Sequence, residues 1–327
     1  MKALVYTGPE ALDYREMADP APQEGEALIR VESVGICGSD MHAYLGHDDR
    51  RPAPLVLGHE AAGVVLSGAM TGARVTVNPL VTCGTCPACR SGRDNLCSTR
   101  QIISMPPREG AFAGLLAMPE RNLVAVPEHM TTHQAALAEP IACGWHSVRL
   151  GRAVLGEGAQ RALVLGGGAI GLGAALSLTA QGIADVTMVE PHAARRAFLD
   201  LRCDQKAIAP EALDPSEQFD IVVDGVGYEA TRAQASAHAR PGGVIVHIGL
   251  GQSTGGLDIR RMTLQEITFI GTYTYTAQDF CDCAQAMFDG RLGALDWVEE
   301  RALSDGARAF ADIRGGRVTS PKIILVP

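Results

Sequence analysis

The sequence predicts an α/β protein in two parts, a β-rich domain of short strands and a doubly wound parallel sheet. Three observations lead to this reading. Residues 1–140 are punctuated by Gly and Pro and carry short β-type runs. From about residue 142 onward, apolar strand-length runs alternate with helical patterns. The chain, at 327 residues, is also longer than one ordinary core covers.

In chain order, residues 27–34, 61–66 and 73–77 read as short strands separated by turns, which suits a barrel-like or irregular β domain. Residues 161–165, 186–189, 221–224, 244–248 and 267–272 read as strands apolar enough to be covered on both faces. A helix is expected over 277–288. The final run, 322–326, is strand-like and resembles the opening β region. The expected division is therefore 1–140 with 280–327 as one domain, carrying a cysteine-rich lobe at 80–98, and 141–279 as the other.

Composition narrows the function. The residues are 46 % hydrophobic and 20 % charged, as in a folded chain rather than a disordered one. A net charge of -9 argues against a nucleic-acid partner. No apolar run approaches the roughly 18 residues a membrane span needs. The opening residues read as a strand and lack a signal peptide's apolar region, so the expected location is cytoplasmic. In that reducing setting nine cysteines serve as metal ligands or free thiols.

The strand at 161–165 runs into Gly166-Gly167-Gly168-Ala169-Ile170-Gly171, which opens an apolar helix. This is G-x-G-x-x-G between a buried strand and a helix. Gly166 serves the tight turn, Gly168 lets a pyrophosphate approach the backbone, and Gly171 lets helix and strand pack closely. The helix N-terminus offers N–H groups and a positive dipole end to phosphates. Glu190 lies 19 residues after Gly171, where a carboxylate can accept both ribose hydroxyls and repel a 2′-phosphate. NAD is expected over NADP.

Cys83, Cys86, Cys89 and Cys97 place four thiols within 15 residues, interrupted by Gly84, Pro87 and Gly92. Four thiolates close a tetrahedral zinc site and leave no position for substrate, so this ion would be structural. Elsewhere, Cys37, Ser39, Asp40 and His42 form one polar segment and Gly58-His59-Glu60 another, with Glu139-Pro140 later. Together they offer one thiolate, imidazoles and carboxylates.

These motifs, in this order and over essentially the whole chain, resemble the zinc-containing medium-chain dehydrogenases/reductases, in the branch of sorbitol, galactitol-phosphate and threonine dehydrogenases. The resemblance implies a GroES-like catalytic domain, a Rossmann domain, and a homodimer or homotetramer. It implies a second, catalytic zinc faced by Cys37, His59 and Glu60, with Glu139 where polyol enzymes have a glutamate. Ser39 would contact the substrate oxygen and His42 would pass its proton outward, while Asp40 matches a structural residue. Tyr44 and Phe112 would line the substrate pocket, and Val226, Ile248 and Thr272 the nicotinamide end. One departure stands out: the family's G-D-x-V turn is here Gly72-Ala73-Arg74-Val75.

A catalytic zinc needs about three protein ligands and one open position. Two carboxylates and a thiolate over-neutralise a dication, which predicts that Glu60 or Glu139 binds it only part of the time. The expected reaction is NAD-linked oxidation of a secondary alcohol, a polyol, sugar alcohol or sugar derivative, to the ketone. Threonine-type amino-alcohol oxidation is the nearest rival. An inactive zinc- and dinucleotide-binding protein is the rival from another class, and the presence of Ser39 and His42 argues against it. A phosphorylated substrate would need a cation, for which Arg50, Arg51, Arg100 and Arg108 are the candidates.

Overall fold

The computed structural model describes residues 1–327, the side chain of Glu157 excepted. The chain opens with β1 (Lys2–Gly8), β2 (Ala11–Glu16), β3 (Glu26–Gly35), α1 (Gly38–Tyr44), β4 (Leu55–Val56), β5 (Glu60–Ser67) and β6 (Arg74–Val77). There follow β7 (Leu80–Val81), α2 (Pro87–Arg90), β8 (Gln101–Ile102), β9 (Leu115–Pro119), β10 (Leu123–Ala125), α3 (Thr132–Ala136) and α4 (Ala138–Leu155). Then come β11 (Arg161–Leu165), α5 (Ala169–Ala180), β12 (Asp185–Val189), α6 (Ala193–Cys203), β13 (Ala207–Ile208), β14 (Phe219–Asp224), α7 (Glu229–His238), β15 (Ala239–His247), α8 (Ile259–Leu264) and β16 (Thr268–Gly271). The last elements are α9 (Ala277–Phe288), β17 (Val298–Ala302), α10 (Gly306–Arg314) and β18 (Lys322–Val326).

Two compact units result. One holds Met1–Glu139, Thr276–Phe288 and Val298–Pro327, and the other Pro140–Tyr275 with Asp289–Trp297. This differs from the expected division in three places, the first being Pro140, which opens the second unit instead of closing the first. Residues 276–279 join the β-rich unit with the rest of α9. Residues 289–297 leave it, because Leu292, Leu295 and Trp297 are buried and Arg291 donates to the Ala180 carbonyl while lying over the Trp145 ring.

The β-rich unit is built on a sheet of order β10-β6-β5-β3-β18-β17, with β9 also pairing β3. Along β3 buried and exposed residues first alternate, as in a sheet with one covered face, and then 33–35 are all buried. There β3 is flanked on both sides: Gly35 lies opposite Glu60 of β5 and Ile324 of β18. Behind the sheet, Phe310 of α10 receives two aromatic rings, Tyr44 at 5.2 Å and Phe112 at 5.9 Å between centroids. Phe112 is fully buried and Tyr44 nearly so, within one hydrophobic core. The expectation that they line a substrate pocket is thereby corrected. Phe112 instead seats the turn before His59, where a Cβ on Gly58 would fall 2.5 Å from its ring.

The second unit is a six-stranded parallel sheet of order β13-β12-β11-β14-β15-β16. Its central strands are buried along nearly their whole length, as helices on both faces require. Leu163, Leu165, Val189, Phe219, Val222 and Ile245 form its core. Among the described residues no helix is long and apolar enough to cross a membrane.

Phe310→Ala should lower stability by about 3–5 kcal/mol, the usual cost of emptying a buried aromatic site. The check is the urea midpoint of the β-rich unit's transition, and an unchanged midpoint would mean the three rings are not packed as described.

Candidate active site

The site in the β-rich unit is assembled by the end of β3, the start of α1 and the start of β5. Cys37 caps α1, and its N–H donates to the Asp40 carboxylate at 3.0 Å, closing a short capping turn. The other Asp40 oxygen accepts from Gly58 N–H at 3.2 Å and lies 3.4 Å from His59 Nδ1. Ser104 Oγ is also 3.4 Å from that nitrogen. With Nδ1 so held, Nε2 is the ring nitrogen left to face a metal, and a carboxylate behind a ligating histidine is the usual support of a metal site. Ligand atoms of Cys37, His59 and Glu60 come within 4.8 Å of one another. Thiolate, imidazole and carboxylate suit zinc.

Charges here are strongly coupled. Burial opposes ionisation of His59, but Asp40 and then Cys37 outweigh it and hold its pKa well above the ordinary histidine value. Burial likewise works against a charge on Asp40, yet His59 and Arg51 bring its pKa below the usual carboxylate range. Glu139 is buried in the first turn of α4 but lies outside the group that Cys37, His59 and Glu60 form.

A residue that sequence reasoning missed completes the site. Lys322, at the head of β18, donates to Glu60 Oε1 at 2.6 Å and to the Ile36 carbonyl at 2.8 Å. Burial disfavours its charge, but Glu60, Cys37 and Glu139 outweigh that and raise its pKa. Lys322 thus sets a positive charge against the negative charge that Glu60 and Cys37 bring to this place. The available signal was a lone lysine opening an otherwise apolar strand.

Ser39 and His42 lie three residues apart on α1, one half-buried and the other exposed. Ser39 Oγ is 3.5 Å from His59 Nε2 and 3.5 Å from Arg51 Nη2. Arg51 is itself buried, bonded to Asp48 at 2.5 Å and to the Ser104 carbonyl at 3.1 Å. Of the four candidate arginines it alone is placed at Ser39. Arg50 is bonded to Asp48, Arg100 to the Cys97 carbonyl, and Arg108 to Gln101 and Glu26.

In the cysteine lobe, Sγ separations are 3.5 Å for Cys86–Cys89, 3.6 Å for Cys83–Cys97 and 3.9 Å for Cys83–Cys89. Zinc–sulfur bonds of about 2.3 Å set a tetrahedral edge of about 3.8 Å, so the donors fit. Backbone N–H groups of Thr85, Cys86 and Cys89 point at the sulfurs. The Thr85 N–H and hydroxyl, with Cys86 N–H, bring the Cys83 thiol down to about 5.

The second unit carries the dinucleotide cradle. Gly166 turns with φ of 100°, and a Cβ there would meet Val226 at 2.4 Å. A Cβ on Gly171 would sit 1.9 Å from the Gly166 carbonyl, the close helix–strand contact the fingerprint requires. Gly168 caps α5 with open space at its Cα, which leaves room for a phosphate at the helix N-terminus. The buried Glu190 accepts from Gly167 N–H and His192 N–H, both at 2.8 Å, one on each oxygen. Each oxygen keeps a lone pair for a ribose hydroxyl. Arg196 is turned to the Glu190 and Pro191 carbonyls.

Val226, Ile248 and Thr272 gather at the carboxyl ends of β14, β15 and β16, where parallel sheets bind their ligands. Asp224 ties this edge together. One of its oxygens accepts from Val226 N–H (3.0 Å) and Gly227 N–H (2.8 Å), and the other meets Thr231 Oγ1 (3.0 Å) and His247 Nδ1 (3.1 Å). Its carbonyl accepts from Ile248 N–H, and Thr272 N–H bonds the His247 carbonyl.

A zinc-type donor set in one unit and a dinucleotide cradle in the other define a metal-dependent, nicotinamide-linked oxidoreductase. Comparison with known proteins agrees. Residues 23–128 match the alcohol dehydrogenase GroES-like domain and residues 169–289 the zinc-binding dehydrogenase family. The chain is 33 % identical to an L-galactonate-5-dehydrogenase of Escherichia coli, over 90 % of this chain and 89 % of that protein. It is 30 % identical to a 2-dehydro-3-deoxy-L-galactonate 5-dehydrogenase of Pseudoalteromonas atlantica, over 96 % of each. A solved E. coli alcohol dehydrogenase complexed with NADH shares the fold, with a TM-score of 0.90, 23 % identity, and coverage of 100 % of this chain and 99 % of that one. The chain belongs to the zinc-dependent alcohol dehydrogenase family of medium-chain dehydrogenases.

Burial raises the pKa of Asp224, but His247 and the Gly227 and Val226 N–H groups outweigh it and bring it below the ordinary 3.8. Its stabilising effect is therefore full above that value and lost as pH falls through and below it. Asp224→Asn should cost about 1–3 kcal/mol at neutral pH and flatten the loss of stability toward acid. Urea midpoints between neutral and acid pH check this, parallel curves for variant and wild type being the contrary result.

Proposed function

We propose that this enzyme oxidises a secondary hydroxyl of a sugar alcohol or sugar acid to the ketone, with NAD as hydride acceptor. The observation that carries the reading is the convergence of Cys37, His59 and Glu60 next to Ser39. When bound, zinc lowers the pKa of the substrate hydroxyl as a Lewis acid and the nicotinamide takes up hydride. Cys37, His59 and Glu60 would hold the metal, with Glu139 as a further carboxylate of the site.

The chain's own part in the chemistry is positioning and proton removal. Ser39 relays the proton of the substrate hydroxyl, giving up its own hydroxyl proton toward the cofactor ribose as it accepts the new one, and His42, one helical turn on and exposed, delivers a proton to solvent. Arg51 has donors only, so beside Ser39 it suits a substrate rich in oxygen around the reacting carbon, hydroxyl or carboxylate. The names of the two galactonate-type relatives support the same substrate class. Glu190 supports NAD over NADP, and the four-cysteine lobe supports a second, structural zinc. The outer edge of β16, unpaired within the chain, supports a dimer or tetramer. Nine free thiols accord with a reducing cytoplasm.

The test is NAD reduction across galactonates, idonate, sorbitol, xylitol, galactitol 1-phosphate and threonine, with metal analysis. Turnover of a sugar acid or polyol, abolished by chelator and restored by zinc, is expected, with two zinc ions per chain. Turnover of threonine alone would overturn the substrate class. Separately, Glu190→Ala should shift the NAD-to-NADP preference in kcat/KM by at least about 10-fold, since ribose hydrogen bonds to a charged group are each worth about 1.5–3 kcal/mol. An unaltered ratio would remove Glu190 from cofactor choice.

A further inference from the structure

Three strands deliver one lysine to the back of the metal-type site. Gly35 of β3 stands opposite Glu60 on one side and Ile324 on the other, and Ile36 N–H donates to the Ile323 carbonyl at 3.0 Å. The backbone ladder, not a flexible loop, therefore sets where Lys322 points, because a one-residue slip of β18 would turn it to the opposite face. Lys322 is 4 % exposed and Glu60 not at all.

The two oxygens of Glu60 have different surroundings. Oε1 receives the Lys322 ammonium at 2.6 Å. Oε2 is buried without a hydrogen-bond partner among the described residues and is packed against Gly35, where a Cβ would come within 1.9 Å of it. Leaving a buried polar atom unmet is unfavourable, so a site of this kind implies a partner for Oε2. Cys37 and His59 each place a ligand atom within 4.8 Å of a Glu60 carboxylate oxygen.

We propose that Lys322 is a positioning residue that restricts Glu60 to a single ligand oxygen and thereby keeps one metal position open for substrate. A carboxylate with both oxygens free can close on the metal in two-oxygen fashion, which with Cys37 and His59 already makes four protein contacts. A carboxylate whose Oε1 is held by an ammonium offers Oε2 alone. The bare Cα of Gly35 leaves the space that Oε2 occupies, which any larger residue would fill. This rests on the reading that the site holds zinc and is independent of the substrate's identity.

The experiment compares wild type, Lys322→Met, Lys322→Arg and the double variant Glu60→Gln with Lys322→Met. Zinc affinity is read by chelator competition, coordination number by the visible spectrum of the Co2+-substituted protein, and stability by the Tm of the metal-free form. Lys322→Met should bind zinc about 10–100-fold more tightly and weaken the Co2+ bands as Glu60 adds its second oxygen, with kcat lowered on the same scale. Lys322→Arg should keep the wild-type spectrum. If Lys322→Met does not fold, the double variant carries the test, because it leaves no buried charge unpaired. Its single amide oxygen should reproduce the wild-type spectrum, and a different spectrum would overturn the proposal. A Lys322→Met protein with a lower metal-free Tm but unaltered zinc affinity and Co2+ spectrum would also overturn it, leaving a structural ion pair. Failure of the wild type to bind zinc or Co2+ at Cys37 and His59 would instead sink the zinc reading itself.

Discussion

A carboxylate inside a protein has to be met by a cation or by hydrogen-bond donors, and the β-rich unit is arranged around that constraint. Glu60 begins β5 in a wholly buried position, and the charge that meets it arrives on β18, on the far side of β3. The pairing of three strands at Gly35 is thus also the assembly of the site. A buried pair of this kind is weak evidence for stability in itself, since desolvation offsets much of its Coulombic gain. Its value lies in orientation, because it holds Glu60 beside Cys37 and His59.

The second unit solves a parallel problem with backbone groups. Glu190 and Asp224 are buried acids whose oxygens are met chiefly by N–H groups of adjoining turns. Fixing those turns fixes the places where Gly168 leaves space and where Val226 and Ile248 stand. The carboxylates hold the frame of the cradle, and Glu190 keeps spare acceptor capacity for a sugar.

Much of this was legible in the sequence, for identifiable reasons. The glycine fingerprint, Glu190 and the four cysteines declare themselves because their chemistry depends on local spacing. The strand and helix runs at 161–165, 277–288 and 322–326 coincide with β11, α9 and β18 because periodic burial is also a local property. Lys322 and Asp224 were not legible, and Arg51 could not be singled out from Arg50, Arg100 and Arg108, since each acquires its partners through strand pairing or loop packing. Tyr44 and Phe112 were misplaced for the same reason. Their rings turn to Phe310, whose distant position no local pattern discloses. Residues 289–297 fell on the wrong side of the domain division because a buried Trp297 can pack against either unit's core until the fold decides.

The separation of Glu60 from Lys322 along the chain, 262 positions, also bears on how the protein is made. Ribosomes deliver residues in order, and N-terminal segments begin to fold while later ones are still being synthesised. The cysteine lobe has all four of its thiols once residue 97 has emerged and can take up an ion early. The Glu60 site has to wait, with its acidic group uncompensated, until nearly all of the chain up to β18 is available. The donors of the two sites therefore become available at different stages of synthesis, one set by residue 97 and the other only with Lys322.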